Sequence, residues 1–275
     1  MRTHVERSDL RALAEHEARL QAAGGRELRD LGDAILLIDP RDPEPYWNRL
    51  MAPDWPAGRP AFGRRLDAAL TVFATLGRVP HIWPFPYLNH PADLVDRLLS
   101  AGFEVMGSDK LMVHGDPGPA TARAAQPLPE RVAVVRLHGL SPASLRWTPG
   151  VAAVLADAFG VDEERQAAIE LETLATLEGP ALNIVVALVD GEPVAVAKRS
   201  TMDGITYLSS IGTRRVLRHR GLGGLVTALA TADALTAGSR RIYLKVDVEN
   251  REAQRLYEEL GFLAVAGQID DLLLR

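Results

Sequence analysis

The chain has 275 residues, 47% of them hydrophobic, which is enough for two cores. A net charge of -5 (31 basic, 36 acidic) and a pI near 5.8 disfavour polyanions as general partners. The absence of cysteine removes disulfides, thiolate nucleophiles and Cys-containing zinc sites. The longest apolar runs, Val151–Ala156 and Ile184–Val189, fall far short of the ~20 residues of a membrane helix. Residues Met1 to Asp9 have no apolar core of a secretion signal. The expectation is a cytoplasmic protein, monomer or homodimer, with no nucleic-acid and no membrane partner. The seven histidines show no i,i+4 pairing, so no metal is expected, and no Gly-x-Ser-x-Gly nucleophile turn occurs.

In chain order, the front part reads as a helix stopped by Gly77, a strand through His81-Ile82-Trp83, and a second helix from Pro91. That helix ends at Gly102-Phe103, and another strand follows. The apolar strip Trp83-Pro-Phe-Pro-Tyr87 suits interdomain packing or a cleft wall. Fourteen of the 18 prolines precede residue 130. The densest non-periodic stretch, Gly115 to Pro129, reads as a linker. The expected division is therefore 1–115, a linker at 116–129, and 130–275.

Beyond the linker, a strand at Arg131–Leu137 precedes helices at Ser141–Phe159 and Glu163–Glu178. Strands follow at Asn183–Val189, Pro193–Thr201 and Ile205–Ile211, joined by the tight turns Asp190-Gly191 and Asp203-Gly204. The period then changes to 3.6, with Leu222, Leu225, Val226, Leu229 and Ala232 on one face up to Gly238. A strand at Arg241–Val248, a helix at Asn250–Leu260 capped by Gly261, and an extended tail complete a mixed α/β domain.

The chemistry concentrates between Gly212 and Gly224. Gly223 and Gly224 stand in or beside a first helical turn, where each costs roughly 0.8–1 kcal/mol against alanine. An anion approaching the outward-facing N–H groups would offset that cost. Arg214, Arg215, Arg218 and Arg220, with His219 among them, place four cations within seven residues, and arginine forks match phosphate geometry. No Gly-Lys-Ser/Thr of a Walker loop follows, and Val226 stands where a dinucleotide loop needs glycine. A solvated basic loop or a small nucleic-acid patch is the alternative reading of the arginines. On the last helix Leu256, Leu260 and Ala253 form the expected buried stripe, with Asn250 and Tyr257 about 20° apart at its edge. Asn250 is equally a helix N-cap, and Tyr257 equally a tyrosine at a core edge.

Arg218-x-x-Gly221-x-Gly223, followed by Asn250-x-x-Ala253-x-x-x-Tyr257-x-x-x-Gly261-Phe262, resembles the GNAT N-acetyltransferase superfamily over about residues 130–275. The resemblance implies an α/β GNAT-like fold with a mixed sheet. It also implies acetyl-CoA as cosubstrate and a primary amine as acceptor, attacked directly. It assigns the pyrophosphate to the backbone of Arg218, His219, Arg220, Gly221, Leu222, Gly223 and Gly224. The pantetheine falls to the strand end Ile211, Gly212 and Thr213, the CoA arm to Asn250, and protonation of the leaving thiolate to Tyr257. Some members carry a glutamate on the preceding strand, whereas Ile205-Thr-Tyr-Leu-Ser-Ser-Ile211 has no carboxylate. Water held by Tyr207, Ser209 or Ser210, or one of Asp162, Glu170 and Glu172, would replace it. A non-catalytic acyl-CoA sensor is the alternative function.

The front half repeats the back: Gly77 to Gly102-Phe103 runs parallel to Gly238 to Gly261-Phe262, with glycine spacings of 25 and 23 residues. Its helix has one glycine, Gly63, in place of three, and Leu99 is read in place of the phenol. A tandem protein with a degenerate, catalytically silent front domain is expected.

Overall fold

The computed structural model describes residues 7–22, 25–85, 88–265 and 267–275. Residues 1–6, and Pro86 and Tyr87 of the apolar strip, lie outside the described residues. The chain divides into two compact units. The first holds residues 1–111, 246–249 and 264–275; the second holds 112–245 and 250–263.

In the first unit, helix α1 (Arg7–Ala22) precedes strands β1 (Glu27–Asp30), β2 (Ile35–Ile38) and β3 (Arg49–Met51). Helix α2 (Arg59–Leu76), strand β4 (His81–Trp83), helix α3 (Leu94–Ser100) and strand β5 (Glu104–His114) follow. Gly77 adopts φ +62 and stops α2, as a left-handed C-terminal glycine does. The sheet order is β1-β2-β3-β4-β12-β5, where β12 is the C-terminal strand Ile269–Leu273. Its core gathers Trp55, Phe62, Phe73, Ile82, Leu98 and Leu272.

The second unit opens with α4 (Pro117–Ala124), β6 (Val132–His138), α5 (Pro142–Phe159) and α6 (Glu163–Leu177). The antiparallel meander β7 (Leu182–Val189), β8 (Glu192–Met202) and β9 (Ile205–Thr213) comes next. Asp190-Gly191 and Asp203-Gly204 all have positive φ, the geometry of a hairpin turn whose twist matches its strands. Helix α7 (Leu222–Thr236) returns the chain to β10 (Arg241–Asp247), parallel to β9, before α8 (Arg251–Glu259) and β11 (Phe262–Ala264). Core residues Leu137, Val151, Leu155, Ile184, Val186 and Val196 lie between the sheet and α5.

Each unit thus runs three antiparallel strands, a helix, a strand parallel to the third, a helix and a strand. This is the internal repeat legible in the glycine spacing, but three details differ from expectation. The residue four before Gly102, as Tyr257 is four before Gly261, is Leu98, fully buried; Leu99 is 41% exposed. The expected linker contains α4. Asp116 accepts a hydrogen bond from Gly118 N at 2.9 Å, and Pro117 and Pro119 sit in the first turn, where an amide hydrogen has no intrahelical partner. The tail after residue 264 also falls outside the second unit: β12 buries Ile269, Leu272 and Leu273 while pairing with β4 and β5.

Candidate acyl-CoA site

Strand β9 is paired unequally on its two sides. Toward β8 its register runs to Thr213, with a bulge where Val196 faces Gly212 and Lys198 faces Ser209. Ser210, the extra residue, has φ +48. A bulge bends and re-aims the strand it interrupts. Toward β10 the pairing covers only Ile205–Leu208 against Arg241–Leu244. From Ser209 to Thr213 the β10 side of β9 is therefore an open backbone edge among the described residues. Gly212 sits where α5 crosses: a Cβ there would stand 2.9 Å from Ala158 Cβ and 3.3 Å from Leu155 Cδ2.

A single 3-10 turn, Arg215–Leu217, links β9 to α7. The chain then turns through His219 (φ +60) and Gly221 (φ +73), the residue before the helix. No side chain caps α7, and its first hydrogen bond runs from Leu225 N to Gly221 O. The amides of Leu222, Gly223 and Gly224 thus point out of a helix end that carries partial positive charge. A Cβ on Gly223 would meet Thr213 Oγ1 at 3.3 Å, whereas one on Gly224 would touch Leu256 at an ordinary 3.8 Å. Close packing against Thr213 therefore explains Gly223, and Gly224 has no such steric reason.

These elements surround a cavity of about 760 Å³, lined by Ile211, Gly212, Thr213, Arg218, His219, Gly221, Leu222, Gly223, Gly224, Asn250 and Tyr257. Arg220, expected with them, is exposed and does not line it. The other arginines also diverge. Arg214 Nε donates to Pro193 O at 2.9 Å, and the Arg215 guanidinium lies against Gly160. Only Arg218 turns to the cavity, its Nη2 held by Ala158 O at 2.8 Å. Arg251 and Arg255 of α8 line the cavity instead, a contribution invisible until the fold brings α8 beside the loop. His219 and Glu252 form an exposed pair at 3.1 Å.

Asn250 caps α8, its Oδ1 accepting from Ala253 N at 3.1 Å; its amide nitrogen remains a donor. The buried face of α8 is centred on Tyr257 and Gln254, while Leu256 and Ala253 are half-buried against the cavity. The stripe expected through Leu256, Leu260 and Ala253 is thus rotated toward the phenol. Tyr257 is 7% exposed. Among the described residues its hydroxyl makes no hydrogen bond, and burial pushes its pKa up to about 12. Lys198 on β8, opposite Ser209, was not anticipated. Its Nζ donates to Thr173 Oγ1 at 2.7 Å, and desolvation, opposed by Glu172, lowers it to about 8.

Residues 149–262 match the family of acetyltransferases described as Acetyltransferase (GNAT) family. The match is to a GNAT domain and covers this segment of the chain. Similar solved structures extend the likeness over nearly the whole chain. A GCN5-related N-acetyltransferase from Kribbella flavida is 22% identical, with a TM-score of 0.69, covering 95% of this chain and 95% of that one. One from Sphaerobacter thermophilus is 17% identical, with a TM-score of 0.55 and coverages of 97% and 92%. A tandem GNAT protein from the clavulanic acid biosynthesis pathway is 14% identical, with a TM-score of 0.63 and coverages of 99% and 89%. At these identities the likeness is one of fold. No curated protein is significantly similar in sequence. Among the described residues no cluster of metal-ligating side chains occurs, and no helix is long and apolar enough to cross a membrane.

Proposed function

We propose that the second unit is an N-acetyltransferase that moves an acetyl group from acetyl-CoA to a primary amine by direct attack. One observation carries the reading: an open strand edge, three unpaired helix amides and a buried phenol meet in one cavity. The amides of Leu222, Gly223 and Gly224 fit an anion, with Arg218 and His219 beside them to hold a pyrophosphate. The edge Ile211–Thr213 fits a pantetheine arm paired as an added strand, and the Asn250 amide nitrogen fits a carbonyl of that arm.

Acetyl-CoA would supply the thioester whose acyl carbon the amine attacks. A phenol with its pKa near 12 stays protonated at working pH, so Tyr257 donates to the departing sulfur. Asp162 is engaged as the cap of α6, accepting from Arg165 N at 2.8 Å. Glu172 is paired with Arg165 at 3.3 Å. Asp162 and Glu172 are thus engaged, and Glu170 is the remaining carboxylate; we assign removal of the amine proton to water held by Tyr207 and Ser209, which share the face of β9 opposite Thr206.

The first unit is proposed to be catalytically silent. Its α2 follows Gly58 and has Pro60 in the first turn, which removes one of the amides an anion would use. Leu98 stands where a phenol would be needed. Free-thiol release from acetyl-CoA over a panel of primary amines tests the whole reading. Turnover on at least one amine is expected; saturable binding with turnover on none would leave a sensor instead.

A further inference from the structure

Helix α4 lies outside both the expected catalytic segment and the family match, yet it packs along α7 within the second unit. Its last turn carries Arg123. Arg123 Nη2 lies 3.3 Å from the place a Cβ on Gly221 would occupy, so the guanidinium stands directly beside the residue that opens α7. Nη1 donates to Gln126 Oε1, which fixes the plane of the fork. Among the described residues Arg123 forms no ion pair with a carboxylate. A permanent cation, the positive end of a 15-residue helix and the cavity-lining Arg218 thus gather with like sign. Such a grouping is unfavourable alone and favourable around an anion.

We infer that Arg123 is a phosphate-binding residue of this site, reaching the pyrophosphate end of CoA from a helix that precedes the family domain. The inference rests on the reading that the cavity takes CoA. It gives the proline-rich segment a chemical role: Asp116, Pro117 and Pro119 start a helix that delivers one guanidinium to Gly221. Nε and Nη2 remain as donors once Nη1 is committed to Gln126, so one charge-assisted contact is expected.

The test uses the full chain with Arg123→Ala and Arg123→Lys, titrated with CoA and with S-acetylpantetheine, which lacks the phosphates. Arg123→Ala should weaken CoA about ten-fold at low salt, the size of one charge-assisted hydrogen bond. S-acetylpantetheine binding should be unchanged, and Arg123→Lys should recover part of the loss. The deficit should shrink with added sodium chloride, giving CoA a shallower salt dependence in the alanine variant. Equal CoA affinity with and without the guanidinium, at every salt concentration, would overturn the inference and leave the CoA reading intact. An equal loss for both ligands would also overturn it, since that marks a structural role of α4. If the unaltered chain takes up neither ligand, the CoA reading falls and takes the inference with it.

Discussion

Lys198→Met should stabilise the protein at neutral pH, and the gain should vanish as the pH rises. Lys198 extends from β8 between Ile184 and Ser209 and donates to Thr173 Oγ1 at 2.7 Å. Loss of hydration is the largest influence on it; Glu172 favours its charge and Arg165 opposes it. A lysine near 8 rather than 10.5 corresponds to roughly 3 kcal/mol of unfavourable burial at 1.36 kcal/mol per tenfold. The side chain keeps partial access to solvent, so about 1–2 kcal/mol is the expected cost. Methionine fills the aliphatic volume without the charge. Thr173 keeps its bond to Ile169 O at 2.6 Å, and Glu172 keeps Arg165 at 3.3 Å. Below about pH 8 the lysine is charged in both folded and unfolded chains, so its burial cost is fully present. Between about 8 and 10.5 only the unfolded chain retains the proton, and stability of the unaltered protein rises with pH. Urea unfolding of both proteins from pH 7 to 10.5 should therefore show the methionine advantage at pH 7 closing toward zero. A variant less stable at pH 7, or a difference that does not change with pH, would refute the burial of this amine.

Tyr257→Phe should slow turnover at least ten-fold while changing CoA affinity little, because the hydroxyl makes no bond within the described protein; equal rates in steady-state thiol release would remove the phenol from the chemistry. Gly224→Ala should raise the melting temperature by about 2–4 °C, since a Cβ there meets Leu256 at only 3.8 Å and alanine is worth about 1 kcal/mol in a helix. A lower melting temperature would contradict that packing. Gly212→Ala should cost about 1–3 kcal/mol in a denaturant titration, because its Cβ would press on Ala158 at 2.9 Å. Unchanged stability would mean that α5 does not cross the strand this closely.

The sequence made the glycine-bearing turn and α8 legible because their chemistry is local. A helix start that tolerates glycine, and a cap such as Asn250, depend on residues a few positions apart. Side-chain direction was not legible in the same way. Four arginines within seven residues read as one cluster, but the 3-10 turn and the left-handed His219 scatter them, and only Arg218 faces the cavity. Arg251 and Arg255 arrive from α8 through the fold, where no local pattern announces them. Helix α4 was hidden because proline ordinarily signals irregular chain, and both of its prolines occupy the first turn, where they cost nothing. The place of β12 was hidden for another reason. Ile269-Asp-Asp-Leu-Leu273 states which positions are buried but not which strands will cover them, since register partners are set by the whole sheet.

Calorimetric titration of acetyl-CoA into the full chain tests the central claim most directly. One molecule should bind per chain, saturably, because among the described residues only the second unit carries unpaired helix amides beside an open strand edge and a phenol. No heat at millimolar acetyl-CoA, or two equivalent molecules per chain, would contradict the account.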